Sequence, residues 1–293
     1  MKNICSILCI CLLCCACNKQ PANNKEVFFK GTDSYQREVV LQNEPLRVVS
    51  FSQAVTEVIY LLHAEKKLVG ISRFCTYPPE TESVPKVGDL LNINVESVLQ
   101  QRPDLIIVGS VVSKSTVEKF EKAGIPVYCL KEEKRLADLP NLVRMTGKLL
   151  NKSAEAEVLA KEYTEKITRV KSQGHVSGKT VYYVVGFGAT GDFTAAGNTF
   201  IHDIITLAGG KNIGRELTTW NVSREFLFQQ NPDCIFIREE DCGNFCHTKP
   251  YTELEAVKSG HVYPIPSGWI DNLCPRNFNA VDYISAKLQD SIR

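Results

Sequence analysis

The sequence lacks an excess of charge of either sign. It has 34 lysines and arginines against 33 aspartates and glutamates, a formal net charge of +1, and no long run of like charges. Nucleic-acid-binding proteins concentrate basic residues on one face, so nucleic acid is excluded as a partner. With 44% hydrophobic and 23% charged residues among 293, the chain is also not disordered, and its length predicts about two domains.

The short motifs of several enzyme classes are also missing. There is no Walker motif, no G-x-S-x-G and no H-E-x-x-H. The segment "GFGATG" (186–191) spells G-x-G-x-x-G, but a dinucleotide site needs a helix at the third glycine, and the loop-like "DFTAAGN" follows instead. We therefore predict a flexible strand-to-helix loop here and no catalytic residues. An enzyme that binds a nucleotide at this loop remains a second hypothesis.

The N-terminal apolar run is too short to cross a bilayer. It covers the thirteen residues 4–16 after Lys2, whereas a spanning helix needs about 20, and it has the length of a signal-peptide core. Ala16-Cys17 at its end resembles a bacterial lipobox. We predict that residues 1–16 are a signal peptide, that Cys17 carries the lipid, and that 17–45 form a tether outside the fold. Ordinary secretion is the alternative.

Cysteine is not scarce, but its pairing cannot be read from the sequence. Six cysteines remain after Cys17, and an exported protein can keep disulfides, yet six allow fifteen pairings. The segment "CGNFCH" (242–247) is one residue too long for a C-x-x-C-H haem attachment site. A loop disulfide, free thiols, and a metal or covalent haem all remain open for it, and we predict no metal site. The six are Cys75, Cys129, Cys234, Cys242, Cys246 and Cys274.

One unit of the sequence occurs twice. "QQRPDLIIV" (100–108) and "QQNPDCIFI" (229–237) lie 129 positions apart, and the same offset relates Glu96 to Glu225. Each copy has a helix N-cap, an acid in the first turn, a Pro-Asp stop and a four-residue apolar strand. An acid in the first turn stabilises a helix through its dipole. The repeat predicts one helix-to-strand unit in each of two lobes.

Strand-like and helix-like segments alternate on both sides of a long helical region. This alternation predicts an α/β fold with parallel sheets in two Rossmann-like lobes. We assign 46–135 to the N-terminal lobe, 136–175 to a backbone helix that Gly147 and "NKS" interrupt, and 176–293 to the C-terminal lobe. Ligands bind at the carboxyl ends of such strands, which places the expected site in the cleft between the lobes.

Three aromatic residues lie in loops rather than in apolar runs. Trp220 and Trp269 are the only tryptophans, and Tyr77 precedes two prolines after the second strand. Flat rings at a cleft suit a large flat ligand. Packing in the core or in a turn is the alternative.

These segments together resemble the substrate-binding proteins of ABC importers that have a rigid helical backbone, a family that carries cobalamin, ferric siderophores and haem. The resemblance covers the chain from about Arg47 to the end. It rests on "RVVSFSQAVTEVIYLL", "VGISRFCTYPPE", "PKVGDLLNINVESVLQQRPDLIIV", "FTAAGNTFIHDIITLAGGKNI", "WNVSREFLFQQNPDCIFI" and "GWIDNLCPR".

The resemblance implies roles for individual residues. The ligand-binding positions of the cobalamin-binding members fall on Tyr77, Leu90, Phe187, Trp220, Trp269 and Arg276. Those members have tryptophan where this chain has Leu90 and aspartate where it has Gly268, so a related corrinoid, haem or a ferric siderophore remains open as the ligand. No histidine or methionine is clearly placed as an axial haem ligand.

The family also implies partners. Glu96 and Glu225 match the glutamates that dock, one per lobe, into arginines of a two-fold permease, which works with an ATPase. The expected protein is a monomer, exported and held on the cell membrane by its lipid, that delivers a small molecule and has no cofactor of its own. A surface adhesin is the third hypothesis, for which aromatic residues in a cleft would have no role.

Overall fold

A computed structural model describes residues 27–89, 92–109, 112–131, 134–173 and 177–290. The predicted signal peptide, Cys17 and Leu90 lie outside these described residues. Within them, no helix combines the length and the apolar character that crossing a membrane requires.

A β-hairpin precedes the first lobe and shortens the predicted tether of 17–45. Strands β1 (Phe29–Thr32) and β2 (Glu38–Leu41) pair antiparallel. The side chains of Phe29, Val39 and Leu41 are buried in the main core, so this segment belongs to the folded unit. Each strand has only four residues, which is too short for its alternation of apolar and polar side chains to stand out in the sequence.

The sheet of the first lobe is wholly parallel, as predicted, with strand order β4-β3-β5-β6. All of its residues except Val69 are buried, because helices cover both faces of the sheet. Its elements are β3 (Val48–Ser50), α1 (Gln53–Leu61), β4 (Leu68–Ile71), α2 (Val95–Gln100), β5 (Leu105–Val108), α3 (Lys114–Lys122) and β6 (Val127–Cys129).

Two helices, α4 (Leu139–Leu149) and α5 (Ser153–Gln173), form the backbone between the lobes. The helical conformation is interrupted at 150–152, where the sequence predicted a break. The two helices cross closely at Gly147, where an added Cβ would lie 2.3 Å from the Cβ of Ala156. A larger side chain would clash here, so Gly147 permits the close packing of α5 against α4.

The second lobe has a mixed sheet with strand order β10-β8-β7-β11-β12, and β9 also pairs with β7. Strands β7, β9, β11 and β12 are parallel, and antiparallel β8 and β10 extend one edge. Its elements are β7 (Thr180–Gly186), β8 (Asp192–Thr194), α6 (Phe200–Leu207), β9 (Lys211–Asn212), β10 (Asn221–Val222), α7 (Arg224–Gln230), β11 (Cys234–Arg238), α8 (Glu239–His247), α9 (Glu255–Lys258), β12 (Val262–Ile265) and α10 (Asn277–Asp290).

The glycine segment 186–191 joins two strands, so the prediction of a strand-to-helix loop is wrong. It connects β7 to β8, and Gly188 and Gly191 have φ angles of 99° and 108°, a region that favours glycine. The turn is held in place: the Gly188 N–H donates to the Tyr251 hydroxyl at 3.0 Å and Arg224 donates to the Gly188 carbonyl at 2.7 Å. The glycines serve hairpin geometry.

The repeated unit has the same structure in both lobes, as predicted. Helix α2 leads to β5, and α7 leads to β11. The side chain of Asn94 accepts from the Ser97 N–H at 3.0 Å, and that of Ser223 accepts from the Phe226 N–H at 3.1 Å. Both predicted N-caps are therefore confirmed.

The segment "CGNFCH" lies on helix α8, not in the loop that the loop-disulfide alternative assumed. Cys242 and Cys246 are one turn apart on this helix, and both are free thiols. Burial raises the pKa of the Cys242 thiol to about 11, with a further contribution from Cys246. The one-turn spacing explains why the two thiols are neighbours.

Exposure predicts which thiols react in the folded protein. Cys242 and Cys246 are half-buried, whereas the other four described cysteines are buried. A chain that starts at residue 27 should expose two thiols to a thiol reagent when native and four more in denaturant. A disulfide between Cys242 and Cys246 would instead leave no reactive thiol in the native protein.

Candidate functional site

The candidate site lies where strand ends of the two lobes face each other. Two residues separate helix α1 from the carboxyl end of β3, and the Ser52 hydroxyl accepts from the Val55 N–H at 3.3 Å. This start directs Gln53 toward the cleft, where its amide donates to the Phe74 carbonyl at 2.6 Å. Asn272 of the second lobe donates to the same side chain. The lobes therefore meet through two amide side chains.

Arg276 makes the second contact across the cleft. It precedes α10 in the second lobe, and its Nε donates to Oε2 of Glu57 in α1 at 2.8 Å. Its guanidinium carbon lies 4.1 Å from the ring centroid of Tyr77. A cation this close to an aromatic face is attracted by the ring. Tyr77 and Arg276, both predicted as ligand-binding residues, are thus brought together.

Glu57 is a buried carboxylate that depends on Arg276. Its side chain is 4% exposed and that of Arg276 is 19% exposed. Burial raises the pKa of Glu57, and the charge and hydrogen bond of Arg276 act against that shift. Burying either charge without the other would be costly, so the ion pair keeps the Glu57 and Arg276 side chains in contact.

A cavity of about 150 Å³ opens beside this ion pair. Pockets for whole ligands usually measure about 300–1,000 Å³, so only the edge of a large ligand fits here without separation of the lobes. Most of the polar side chains around the cavity are uncharged. The lining includes Gln53, Phe74, Thr76, Tyr77, Ser267, Asp271, Asn272 and Arg276.

Asp271 is the carboxylate that lines this cavity. Its Oδ1 lies 3.2 Å from Nε of Arg238, at the carboxyl end of β11. Burial raises the pKa of Asp271, and Arg238 opposes the rise. Arg238 also donates to the Val185 carbonyl at 2.7 Å. It therefore links the Asp271 carboxylate to the end of strand β7.

The other predicted aromatic residues lie at different places in the second lobe. The Phe187 ring contacts Phe245 and Tyr251 edge-on, with centroids 5.1 and 5.5 Å apart. Trp220 precedes β10 and is 40% exposed, so its ring is available to a ligand. Trp269 is half-buried, and its ring meets Tyr283 edge-on at 6.3 Å. Within the described residues, no ring contact joins these three to Tyr77.

Gly268 has a direct structural consequence for the arginine. An added Cβ at this position would lie 2.4 Å from Nη1 of Arg276. The glycine therefore leaves room for the guanidinium to lie against Tyr77 and Glu57. An aspartate here, as in the cobalamin-binding members, would require Arg276 to take another position.

Glu96 and Glu225 occupy equivalent places on the two lobes. Each lies in the first turn of its helix and is exposed. Neither forms an ion pair with another described residue. Each lobe thus presents one free carboxylate at the start of a short helix.

Gln53, Glu57 and Asn272 were not predicted as site residues from the sequence. A usable signal was present for the first two, because both are polar and one helical turn apart in a helix that directly follows a strand. Asn272 gave no such signal, because it lies in an irregular loop.

Comparison with known proteins identifies the family. The periplasmic binding protein family matches residues 48–268. The Bacillus subtilis ABC transporter substrate-binding lipoprotein YvrC is 24% identical over 264 residues, 87% of this chain and 84% of that protein. The vitamin B12-binding protein of Vibrio parahaemolyticus is 26% identical over 250 residues, 83% of this chain and 90% of that protein.

A solved structure shows the same fold. The periplasmic heme-binding protein of Pseudomonas aeruginosa superimposes with a TM-score of 0.75 at 22% identity, over 83% of this chain and 92% of that one. The two-lobed α/β architecture and the family match, which extends over more than half of the sequence, lead to one conclusion: this chain belongs to the periplasmic binding protein family.

Proposed function

We propose that this protein is the substrate-binding lipoprotein of an ABC importer and that it captures a corrinoid such as cobalamin. The observation that carries the proposal is the Tyr77–Arg276 pair, which joins the lobes beside a cavity with amide and hydroxyl walls. An aromatic face and a hydrogen-bond donor suit a large flat ring with amide groups at its edge. Trp220, Trp269 and Phe187 add aromatic surface in the second lobe.

The relatives support this choice of ligand. One is named for vitamin B12 binding and another for ABC transport, and each aligns over more than four fifths of this chain. Haem or a ferric siderophore is the second candidate, favoured by the likeness to a heme-binding protein and by the replacement of a tryptophan by Leu90 and of an aspartate by Gly268. An enzyme and an adhesin are the remaining hypotheses.

Delivery completes the proposed function. A lipid on Cys17 would hold the exported protein at the membrane as a monomer. Glu96 and Glu225 would each meet a basic residue of a two-fold permease, which an ATPase drives. Their exposure and lack of ion-pair partners within the described chain support this role.

Titration of the soluble chain from residue 27 tests the ligand. Cyanocobalamin, haem and a panel of ferric siderophores would be added separately while tryptophan fluorescence is followed. We expect saturable quenching by the corrinoid. Saturation only by haem or a siderophore would replace the ligand and keep the transporter, and no response to any of them would favour the enzyme or adhesin hypotheses.

Two matched variants then locate the ligand. Because Trp220 is exposed and Trp269 packs on Tyr283, Trp220→Phe should remove most of the quenching, and Trp269→Phe should retain more of it. Affinity should fall about threefold to tenfold for Trp220→Ala, the loss expected for one stacking contact. An unchanged affinity for Trp220→Ala would exclude this side chain from the site.

A further inference from the structure

Arg276 already has a partner of opposite charge in the cleft. Its Nε bonds Glu57 at 2.8 Å, and the Glu57 side chain is almost completely buried. Charge-assisted hydrogen bonds of this type are stronger than neutral ones. The arginine that the family resemblance implies as a ligand contact therefore enters the site with its charge neutralised.

The remaining charges near the cavity are also paired. Asp271 lines the cavity and is paired with Arg238 at 3.2 Å. Asp241 lies 3.7 Å from the same guanidinium, so with Glu57 and Arg276 the group has three carboxylates and two guanidinium groups. The neighbouring side chains of Gln53, Thr76 and Asn272 are uncharged. A carboxylate on a ligand would approach Arg276 against the charges of Glu57 and Asp271.

An uncharged amide avoids this repulsion. It can accept from an Nη group of Arg276 and exchange hydrogen bonds with Gln53 or Asn272 while the ion pair stays intact. We propose that Glu57 is a specificity-determining residue, which neutralises Arg276 and so selects ligands with an amide edge over ligands with a carboxylate edge. The inference rests on the proposed function, since it assigns the ligand class of the same cleft.

Ligands that differ in one group provide the test. The probes are cyanocobalamin and its monocarboxylic acids, in which one side-chain amide is hydrolysed to a carboxylate. The wild type should bind the amide form more tightly than at least one acid by about tenfold, and Glu57→Gln should reduce that ratio to below about threefold. Glutamine keeps an acceptor for Nε and removes only the charge.

Glu80→Gln is the matched control. Glu80 is a carboxylate of the same lobe in the turn after Tyr77, and within the described part of the chain it forms no hydrogen bond or ion pair with Arg276. The Glu80→Gln variant should keep the wild-type ratio of affinities for the amide and acid forms. Should Glu57→Gln fail to fold, Glu57→Met fills a similar volume without charge and is used for the same comparison.

The outcomes separate the two proposals. Binding of cyanocobalamin with a ratio that Glu57→Gln does not change overturns the role of Glu57 and leaves the proposed function standing. A wild type that binds no corrinoid overturns both. A lower ratio in Glu57→Gln together with an unchanged ratio in Glu80→Gln supports the inference.

Discussion

Reversing the charge of both Glu96 and Glu225 should reduce ligand uptake to background while leaving ligand affinity within about twofold of wild type. Each exposed carboxylate is expected to meet a cationic residue of the permease, and placing like charges together across an interface costs several kcal/mol. The single variants Glu96→Arg and Glu225→Arg should each lower uptake by about tenfold or more, since about 1.4 kcal/mol corresponds to a factor of ten. Uptake of labelled ligand by cells provides the measurement.

Charge reversal elsewhere on the surface controls for non-specific effects. Glu118 in α3 and Glu162 in α5 are exposed glutamates away from the two short helices. Glu118→Arg and Glu162→Arg should transport normally. If the double variant at 96 and 225 also transports normally, docking is wrong and the two acids serve only their helix dipoles, worth about 0.3–1 kcal/mol each.

Arg276→Ala should lower the free energy of unfolding by about 3 kcal/mol at pH 7, because it leaves the carboxylate of Glu57 buried without a partner. Burial already raises the pKa of Glu57, and loss of Arg276 removes the group that opposes the rise. The folded-state pKa then lies above the unfolded value, so the folded variant binds the proton more tightly. Its stability should therefore recover as the pH falls from 7 toward the ordinary glutamate range of about 4.3.

Urea denaturation of wild type and variant at pH 7 and pH 5 measures this recovery. Adding Glu57→Gln to Arg276→Ala removes the buried charge, so the double variant should be more stable than Arg276→Ala at pH 7. The stability difference between the double variant and wild type should be the same at pH 5 and pH 7. A deficit in Arg276→Ala that is the same at both pH values would show that lost packing, rather than an unpaired charge, is the cause.

The repeat and the caps were predictable because they depend on local chemistry. An N-cap side chain accepts a hydrogen bond from a backbone N–H three residues away, so Asn94 and Ser223 can be predicted as caps from a few neighbouring residues. Proline ends a helix for an equally local reason. The four-residue apolar strands that follow are buried on both faces wherever they occur in a parallel sheet.

Predictions for the short segments failed where the deciding contact was distant. The hairpin 29–41 is stabilised by burial of Phe29 against Tyr128, nearly one hundred residues away. The glycine segment 186–191 became a hairpin turn because Asp192, Tyr251 and Arg224 hold it in a network of hydrogen bonds. The distant partners, Tyr128 for the hairpin and Tyr251 and Arg224 for the glycine segment, cannot be inferred from the residues of either segment.

The sequence by itself determined the alternation of strands and helices, the doubled helix-to-strand unit, and the positions of Glu96 and Glu225, because each of these follows from periodicity and from bonds within a few residues. Only the tertiary structure decided that Arg276 reaches Glu57 and Tyr77. These residues come from opposite ends of the chain, and a buried charge is stable only where the fold brings an opposite charge within hydrogen-bonding distance.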